Sequence, residues 1–522
     1  MTTKKQSIVS SLIFRFPNGP TNPEVALFQR SAKVRTYQHH LAPIAGSIEP
    51  TDPDALSAAW RELAEETTLS PITLSHWRTG KPFTFRDDSI GREWTVHPFA
   101  FTLRTDATAT AIHTDWEAET WRWYNAQEVL TDTSLQTVPR LRDTLRRTWF
   151  EGQLGERAGG VLASGLDRLK TDHESGAHEL AAVALTVFRD VLIEMAREGR
   201  DALAEWASIR MAAWHVVKNG RESMGAATLN ALLAVVADMD DVRREGPVGS
   251  VLQTWERIVA VVDFHLQRRV GHAGGVRAAL GEYFQALGEE EVGGKGKKET
   301  LTVLTMSASS TIRDSLLEAW AVLDVPTLEL RVLESRPLFE GASLASSLMS
   351  QFKVEQPAGK TLRVRLYPDA AAAVAACGAD IVLLGADQIS ARKGVCNKTG
   401  SLPVVLSARE VNPAAHVVVL SQAEKINGCP DVVSDDSPED NGPPEVVDAW
   451  CRADVKGLRV LEEAMVERQD ALQLDVHNVY FEWIPLHLVD AFVCEEGVLT
   501  EETLLRRTAD LAGLYDRLFG EL

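Results

Sequence analysis

Residues 61–66 read Arg61-Glu62-Leu63-Ala64-Glu65-Glu66, which sets three carboxylates and one guanidinium on a turn and a half of an expected helix. Asp52-Pro53 upstream supplies a helix start, with a side-chain acceptor at the cap and a proline at the first helical position. Leu56, Ala59, Trp60 and Leu63 recur at helical spacing and make the stripe that would be buried. Glu62 and Glu66 are four apart and Glu65 is three from Glu62, so all three reach one patch. Carboxylates clustered in this way repel one another unless a cation sits among them. A hard divalent cation such as magnesium takes oxygen ligands of this kind while keeping waters and a substrate phosphate. Alone, the hexapeptide also suits an acidic, solvated helix face. The flanks favour the first reading: Ile8 to Phe14 and Glu24 to Gln29 read as strands, Leu41 to Ile48 leads into the helix, and Glu93 to Leu103 reads as a strand after it.

With Gly46 in front, this stretch resembles the Nudix box, G-x5-E-x7-R-E-U-x-E-E-x-G-U with U aliphatic, and Gly46, Arg61 to Glu66 and Leu69 match it. Three positions depart from the pattern. The interval between Gly46 and Arg61 holds 14 residues, one more than the pattern allows. Pro53, flanked by Asp52 and Asp54, stands where the first glutamate belongs, and Thr68 replaces the last glycine. The resemblance implies an N-terminal Nudix α/β/α sandwich that cleaves a nucleoside diphosphate linked to another group, with Mg2+ or Mn2+ as cofactor. It also implies that Glu62, Glu65 and Glu66 bind metal that orients and activates water. Arg61 then holds the carboxylate geometry through a charge-assisted pair.

The chain has 522 residues, 45% of them apolar and 25% charged, which bounds it as a multidomain globular protein. A net charge of −20 disfavours nonspecific binding to nucleic acid or to anionic membranes, and no apolar run reaches transmembrane length. Lys4-Lys5 followed by Ser7 to Phe14 is too short and too strand-like for a secretion signal. Cys377, Cys396, Cys429, Cys451 and Cys494 form no C-x-x-C pair, so neither a zinc site nor a redox pair is signalled. The expected setting is reducing and cytoplasmic.

Three regions follow from the change of pattern: 1–150, mixed α/β, with Trp121 to Phe150 as its closing helical part; 151–290, long amphipathic helices; and 291–522, alternating strands and helices. The helices are expected at Ala177 to Glu198, Arg200 to Lys218, Met224 to Met239 and Val251 to Leu287. Glu289 to Lys298 reads as a glycine- and charge-rich hinge. Strands are expected at Thr300 to Thr305, Leu328 to Glu334, Thr361 to Leu366, Asp380 to Leu384 and Ala415 to Leu420. Helices from about Thr311, at Ser343 to Phe352 and at Asp369 to Cys377 alternate with them. Short buried runs separated by helices imply a parallel sheet, whose ligands bind at the carboxyl ends of the strands. Cys429 to Pro444, acidic and proline-rich, reads as a surface loop.

The expected strand ends are polar. Thr305-Met306-Ser307-Ala308-Ser309-Ser310-Thr311 leads into a helix, where small hydroxyls and free amides suit a phosphate. Glu334-Ser335-Arg336-Pro337, Gly385-Ala386-Asp387 and Asn397-Lys398-Thr399-Gly400 follow later strands, with Asn478 to Glu482 and Glu495-Glu496-Gly497 near the C-terminus. Taken together, roughly from residue 170 on, these motifs resemble one superfamily. It joins the alpha, beta and delta subunits of translation initiation factor 2B to the methylthioribose-1-phosphate and ribose-1,5-bisphosphate isomerases. The implied architecture is a helical subdomain followed by a C-terminal Rossmann-like parallel-sheet domain.

The resemblance implies a sugar-phosphate pocket in which Arg336 and Lys398 hold phosphate, Asp387 faces the sugar ring, and Ser307, Ser309, Ser310 and Asn397 line the remainder. The isomerases use a cysteine and an aspartate. Asp387 matches the aspartate, Ser307 stands at the cysteine position, and Met306 replaces the histidine that often precedes it. A serine hydroxyl needs a partner base where a thiol does not, which pulls toward the regulatory subunits. Asp387, Asn397 and Lys398 pull toward the isomerases. Arg210 and Arg221 are further candidate phosphate contacts.

The expected whole is a Nudix hydrolase fused to a factor-2B-like domain that binds a phosphorylated sugar or nucleotide. Its alternatives are an aldose–ketose sugar-1-phosphate isomerase and a noncatalytic translation-regulatory protein that assembles with factor 2B subunits. The resemblance implies a homodimer.

Overall fold

The computed structural model describes residues 4–17, 19, 22–104, 112–172, 175–246, 249–292, 298–355, 357–429, 439–466, 472 and 474–522. The N-terminal sheet comprises β1 (Lys4–Arg15), β2 (Glu24–Arg30), β3 (Leu41–Ala42), β4 (Ile44–Ser47), β5 (Leu74–Thr79), β6 (Phe83–Asp87), β7 (Arg92–Leu103) and β8 (Ala118–Asn125). β1 is its spine, running parallel to β7 with Ile8 opposite Val96, and antiparallel to β2 and β4. Alternate residues of β1 face opposite layers. Val9 and Ile13 pack on α1 (Ala55–Thr67) through Ala59 and Leu63, while Leu12 and Phe14 pack on α2 (Ala126–Thr131) and α3 (Leu141–Thr148) through Val129 and Leu145. The result is an α/β/α sandwich. Leu56 and Trp60 complete the helix stripe, and the Trp60 ring meets Phe101 edge-on at 4.7 Å between centroids.

Two expectations change here, and two strands are added. The cap of α1 is Asp54, whose side chain accepts from the Ser57 amide, because Asp52 is engaged elsewhere. Trp121 to Asn125 is not helical but belongs to β8, where Trp121 and Trp123 share one face of a strand paired to β2. The short, half-exposed strands β5 and β6 had no counterpart in the reading of the sequence.

The helical region holds α4 (Glu151–Leu154), α5 (Glu156–Thr171), α6 (Ala177–Arg197), α7 (Trp206–Asn219), α8 (Gly225–Arg244) and α9 (Val251–Val292), which share one core with Cys396, Tyr480, Phe481 and Phe519. α7 begins later than expected, because Asp201 binds the amides of Leu203 and Ala204 in a turn, and the Arg200 carbonyl accepts from the Trp255 indole at 2.7 Å. α9 runs through the first residues of the expected hinge, and 293–297 lie outside the described residues.

The C-terminal elements are β9 (Thr300–Met306), α10 (Ser310–Ala321), β10 (Thr327–Leu333), α11 (Glu340–Glu355), β11 (Thr361–Tyr367), α12 (Ala372–Ala376), β12 (Ile381–Leu384), β13 (Gln388–Ser390), β14 (Gly394–Lys398), α13 (Ser401–Val411), β15 (His416–Leu420), β16 (Ile426–Asn427), α14 (Pro444–Arg452), α15 (Leu458–Val466), β17 (Phe481–Ile484), β18 (Ala491–Cys494), β19 (Gly497–Leu499) and α16 (Glu501–Phe519). The main sheet has the order β11-β10-β9-β12-β15-β18-β19 and is parallel from β11 to β18. Helices cover both faces: α9, α10 and α11 pack on one, α12 and α13 on the other. From β9 the chain winds outward through β10 and β11, and from β12 it winds the opposite way, so the strand order reverses between β9 and β12. A second sheet, β16-β13-β14-β17, stands beside that reversal and carries Asn397 and Lys398. Of the expected acidic loop, 430–438 lie outside the described residues. Among the described residues no helix is long and apolar enough to cross a membrane.

The N-terminal sandwich meets the helices through β5. The Asn219 side chain accepts from the Thr79 amide at 2.7 Å and donates to the Thr79 carbonyl at 3.0 Å, and the buried pair Arg78–Glu151 lies alongside at 3.4 Å. Replacing Asn219 with Ala leaves both Thr79 backbone groups without their partner. The expected cost is about 1–3 kcal/mol, read as a lower melting temperature by calorimetry; an unchanged melting temperature would show that the contact contributes nothing.

Candidate functional site

The first site forms where α1 meets β4. Arg61 is its organiser. Its Nε and Nη2 grip the two Asp52 oxygens at 3.0 Å each, Nη2 also donates to the Ser47 carbonyl at 2.9 Å, and Nη1 donates to Glu62 Oε1 at 2.7 Å. The guanidinium holds the Asp52 carboxyl below the usual carboxylate range. Gly46 leaves room for Glu62: a Cβ there would meet the Glu62 carboxyl carbon at 1.9 Å, and the Glu62 side chain would have to move aside. Thr68 ends α1 with φ of 59°, the left-handed conformation that a glycine adopts more easily.

Glu62 and Glu66 face inward together, whereas Glu65 does not join them. Its side chain is 62% exposed and leans on Arg61 at 3.5 Å. The third inward carboxylate is Glu117, ahead of β8, with Asp115 next to it. Burial, then Glu117, Glu62 and Asp115, push Glu66 up to about 9, and only Arg30 offsets them. Burial likewise raises Glu62 and Glu117. Among the described residues no three acidic, histidine or cysteine side chains gather around one point as a metal cage. The donor chemistry of Glu62, Glu66 and Glu117 nevertheless suits a hard divalent cation: all are oxygen ligands, and their mutual repulsion is poorly balanced. Beside them opens a cavity of about 380 Å³, to which Arg30, Arg35, Arg92 and Arg140 contribute cations and Phe83 and Phe85 contribute aromatic rings.

The second site lies at the reversal between β9 and β12. Ser307 is held in a left-handed turn (φ 60°), with its amide donating to Ser335 Oγ at 2.8 Å. Asp369 takes the amides of Ser335 and Arg336 at 2.8 Å each. Ser309 caps α10 by accepting from the Ile312 amide, and Ser310 begins that helix. Gly385 is a second close approach: a Cβ there would lie 3.0 Å from Ser309 Oγ and 3.6 Å from Asn397 Oδ1. Asn397 in turn donates to Ser401 Oγ at 2.8 Å. Ser309, Gly385 and Asn397 therefore converge.

Lys398 pairs with Glu340 at 2.7 Å and lies over the Tyr480 ring, and Arg336 pairs with Glu334 at 3.0 Å. Both cations line one cavity of about 300 Å³. Burial raises the Asp387 carboxyl, while Lys425, Arg221 and Lys398 pull it down. Of the two further arginines weighed from the sequence, Arg221 reaches this neighbourhood and is held by Glu439 at 2.9 Å, whereas Arg210 donates to the Leu518 carbonyl instead. The buried Cys396 thiol is pushed far up by burial, Asp387 and Glu439, so it supplies no thiolate.

Sequence reasoning missed Glu117, Asp115 and Lys425. Lys425 had a signal, since it follows the end of β15 in a parallel sheet, where ligand groups collect. Glu117 had none, because nothing in its neighbourhood marks one acidic residue among several.

Two family models match the chain: the NUDIX domain over residues 8–147 and the Initiation factor 2 subunit family over residues 280–501. The chain joins a NUDIX domain to an initiation-factor-2B-like domain. A ribose 1,5-bisphosphate isomerase of Haloterrigena turkmenica is 31% identical over 215 residues, 40% of this chain. The match spans 58% of that relative's length. The structure of the Pyrococcus horikoshii OT3 translation initiation factor eIF-2B is 18% identical, with 65% of this chain and 96% of that one covered at a TM-score of 0.43. A C. elegans Ap4A hydrolase binary complex is 20% identical, with 27% and 93% covered at a TM-score of 0.22. The NUDIX domain supports a hydrolase, and the second domain is related to sugar-phosphate isomerases.

Because Glu66 has its folded pKa raised from 4.5 to about 9, its contribution to stability is full below about pH 4.5 and is lost as pH rises toward 9. In metal-free buffer, Glu66→Gln should therefore melt higher than wild type by a margin that grows from pH 5 to pH 9, reaching ~3 °C or more. Magnesium should narrow the margin by stabilising the wild type. A margin independent of pH would contradict this placement of Glu66.

Proposed function

We propose that the N-terminal half hydrolyses a nucleoside diphosphate derivative with Mg2+ or Mn2+, in a cytoplasmic homodimer divided at about residues 150 and 290. The observation that carries this reading is the inward cluster of Glu62, Glu66 and Glu117 next to a cavity lined by arginines and aromatic rings. Arginine forks bind phosphate bidentately, and the rings offer a surface for a base. When bound, the cation supplies a polarised water and neutralises phosphate charge. Glu62, Glu66 and Glu117 would hold it, and Arg61 keeps Glu62 oriented while tying the loop to the helix. In a panel of nucleoside diphosphate derivatives, we expect magnesium-dependent turnover that Glu62→Gln with Glu66→Gln lowers at least about a hundredfold. Glu65→Gln should cost far less. Absence of turnover on every substrate would count against a hydrolase.

We further propose that the C-terminal half binds a phosphorylated sugar or nucleotide without turning it over. Arg336 and Lys398 line one cavity, and Asp387 lies within the field of Lys398, which supports phosphate binding. Ser307 brings no thiol, and Cys396 is held protonated. The isomerase reading retains Asp387 in its favour, through its kinship with a ribose 1,5-bisphosphate isomerase. Wild type incubated with ribose 1,5-bisphosphate or methylthioribose 1-phosphate is expected to give no ketose, as followed by NMR. Conversion lost on Asp387→Asn would establish the isomerase instead.

A further inference from the structure

We propose that the substrate of the N-terminal half bears a third phosphate, beyond the diphosphate that is cleaved, and that Arg35 and Arg92 hold it. This rests on the reading above that the N-terminal half hydrolyses a nucleoside diphosphate derivative, and it names the class of substrate. The cavity beside the carboxylates holds more positive charge than its surroundings answer. Four arginines line it against one carboxylate, Glu117, which belongs to the cation site. Arg30 is the guanidinium that offsets Glu66 and Glu117, and Arg140 pairs with Asp143 at 2.9 Å. Among the described residues neither Arg35 nor Arg92 forms an ion pair.

Local structure keeps the two in that state. Arg92 lies opposite Asp87 in the β6–β7 pair, yet Asp87 spends its oxygens on the Tyr37 hydroxyl and on the amide and hydroxyl of Ser89. The groups that steady Arg92 are neutral: its Nη1 donates to Gln6 Oε1 at 3.4 Å, and its guanidinium lies 5.2 Å from the centre of the Trp94 ring. Gln6 in turn donates to Ser47 Oγ at 2.5 Å, and the Ser47 carbonyl accepts from Arg61, which orients Glu62. One amide side chain thus separates the Arg92 fork from the loop of the cation site. Arg35 is brought in by the loop after β2, where two non-glycine residues are left-handed, Tyr37 with φ of 53° and His39 with φ of 61°. Gln38 Nε2 braces that loop by donating to the Ala32 and Val34 carbonyls at 2.8 and 3.0 Å, and Tyr37 crosses to Asp87 at the end of β6. Strain of this kind persists where surrounding contacts over-determine it, and it collects at ligand clamps. Here it sets an exposed cation on the rim of the cavity. A guanidinium fork pairs bidentately with phosphate. With a two-phosphate substrate the bound cation and Arg30 answer the charge, and Arg35 and Arg92 are left facing neutral groups. A third phosphate, in the chain or on a sugar that the diphosphate joins, supplies the anion they lack.

The test uses the full-length protein with magnesium and three matched pairs: NADH and NADPH, dephospho-coenzyme A and coenzyme A, diadenosine diphosphate and diadenosine triphosphate. The second member of each pair adds one phosphate, on a ribose in the first two pairs and in the chain in the third. In at least one pair kcat/KM should favour the second member by about tenfold or more. The pair that shows it identifies the source of the third phosphate. Arg35→Gln with Arg92→Gln should bring that ratio close to one, whereas Arg30→Gln should lower both members and keep the ratio. Should the double variant melt well below wild type, Arg35→Gln alone, at an exposed position, should still lower the ratio severalfold. Equal cleavage within every pair, or a preference that survives these Arg35 and Arg92 variants, would overturn the proposal and leave the hydrolase standing. Absence of turnover on all six compounds would overturn both.

Discussion

A carboxylate withdrawn from water is costly unless a cation or several N–H donors meet it, and both sites are organised by that requirement. Arg61 meets it at the first site by holding Asp52, the Ser47 carbonyl and Glu62 at once, which ties the loop to α1. What Arg61 does not reach stays unbalanced, and Glu66 is the residue that shows it. At the second site the requirement is met from several elements: Lys425, Arg221 and Lys398 come from three separate segments to act on Asp387. Elsewhere, Arg269 and His178 surround Glu424 and bind α6 and α9 to the parallel-sheet half.

The two halves are joined by more than a tether. Asn219 at the end of α7 holds the backbone of Thr79 in the N-terminal sandwich, and Arg221, two residues on, acts on Asp387 at the rim of the parallel sheet. One short turn therefore touches both halves. Its position fixes where the arginine stands relative to the pocket, and the contact to β5 fixes the turn.

Much of the architecture was legible because it follows from period and punctuation. The alternating runs from Thr300 to Leu420 match a parallel sheet covered on both faces, and the unbroken buried apolar runs of β12 and of β15 from Val417 leave little else there. Legibility failed where a local rule was outweighed by a distant partner. Asp52 has the side chain of a helix cap, yet the pull of Arg61 leaves that role to Asp54. Trp121 and Trp123 suit several conformations, and only pairing with β2 makes a strand of them. Glu65 looked equivalent to Glu62 and Glu66 by spacing, but it points to solvent and to Arg61.

The residues 61–66 and the strand-end motifs were enough, as sequence, to name two anion- or cation-binding chemistries and the sheets that carry them, because helical spacing and strand order are local properties of the chain. Which groups complete each site was decided only in three dimensions. Glu117, Lys425 and Arg221 lie far along the chain from the motifs they join. Electrostatic fields and cavity walls depend on distance through space, and spacing along the sequence carries no record of it.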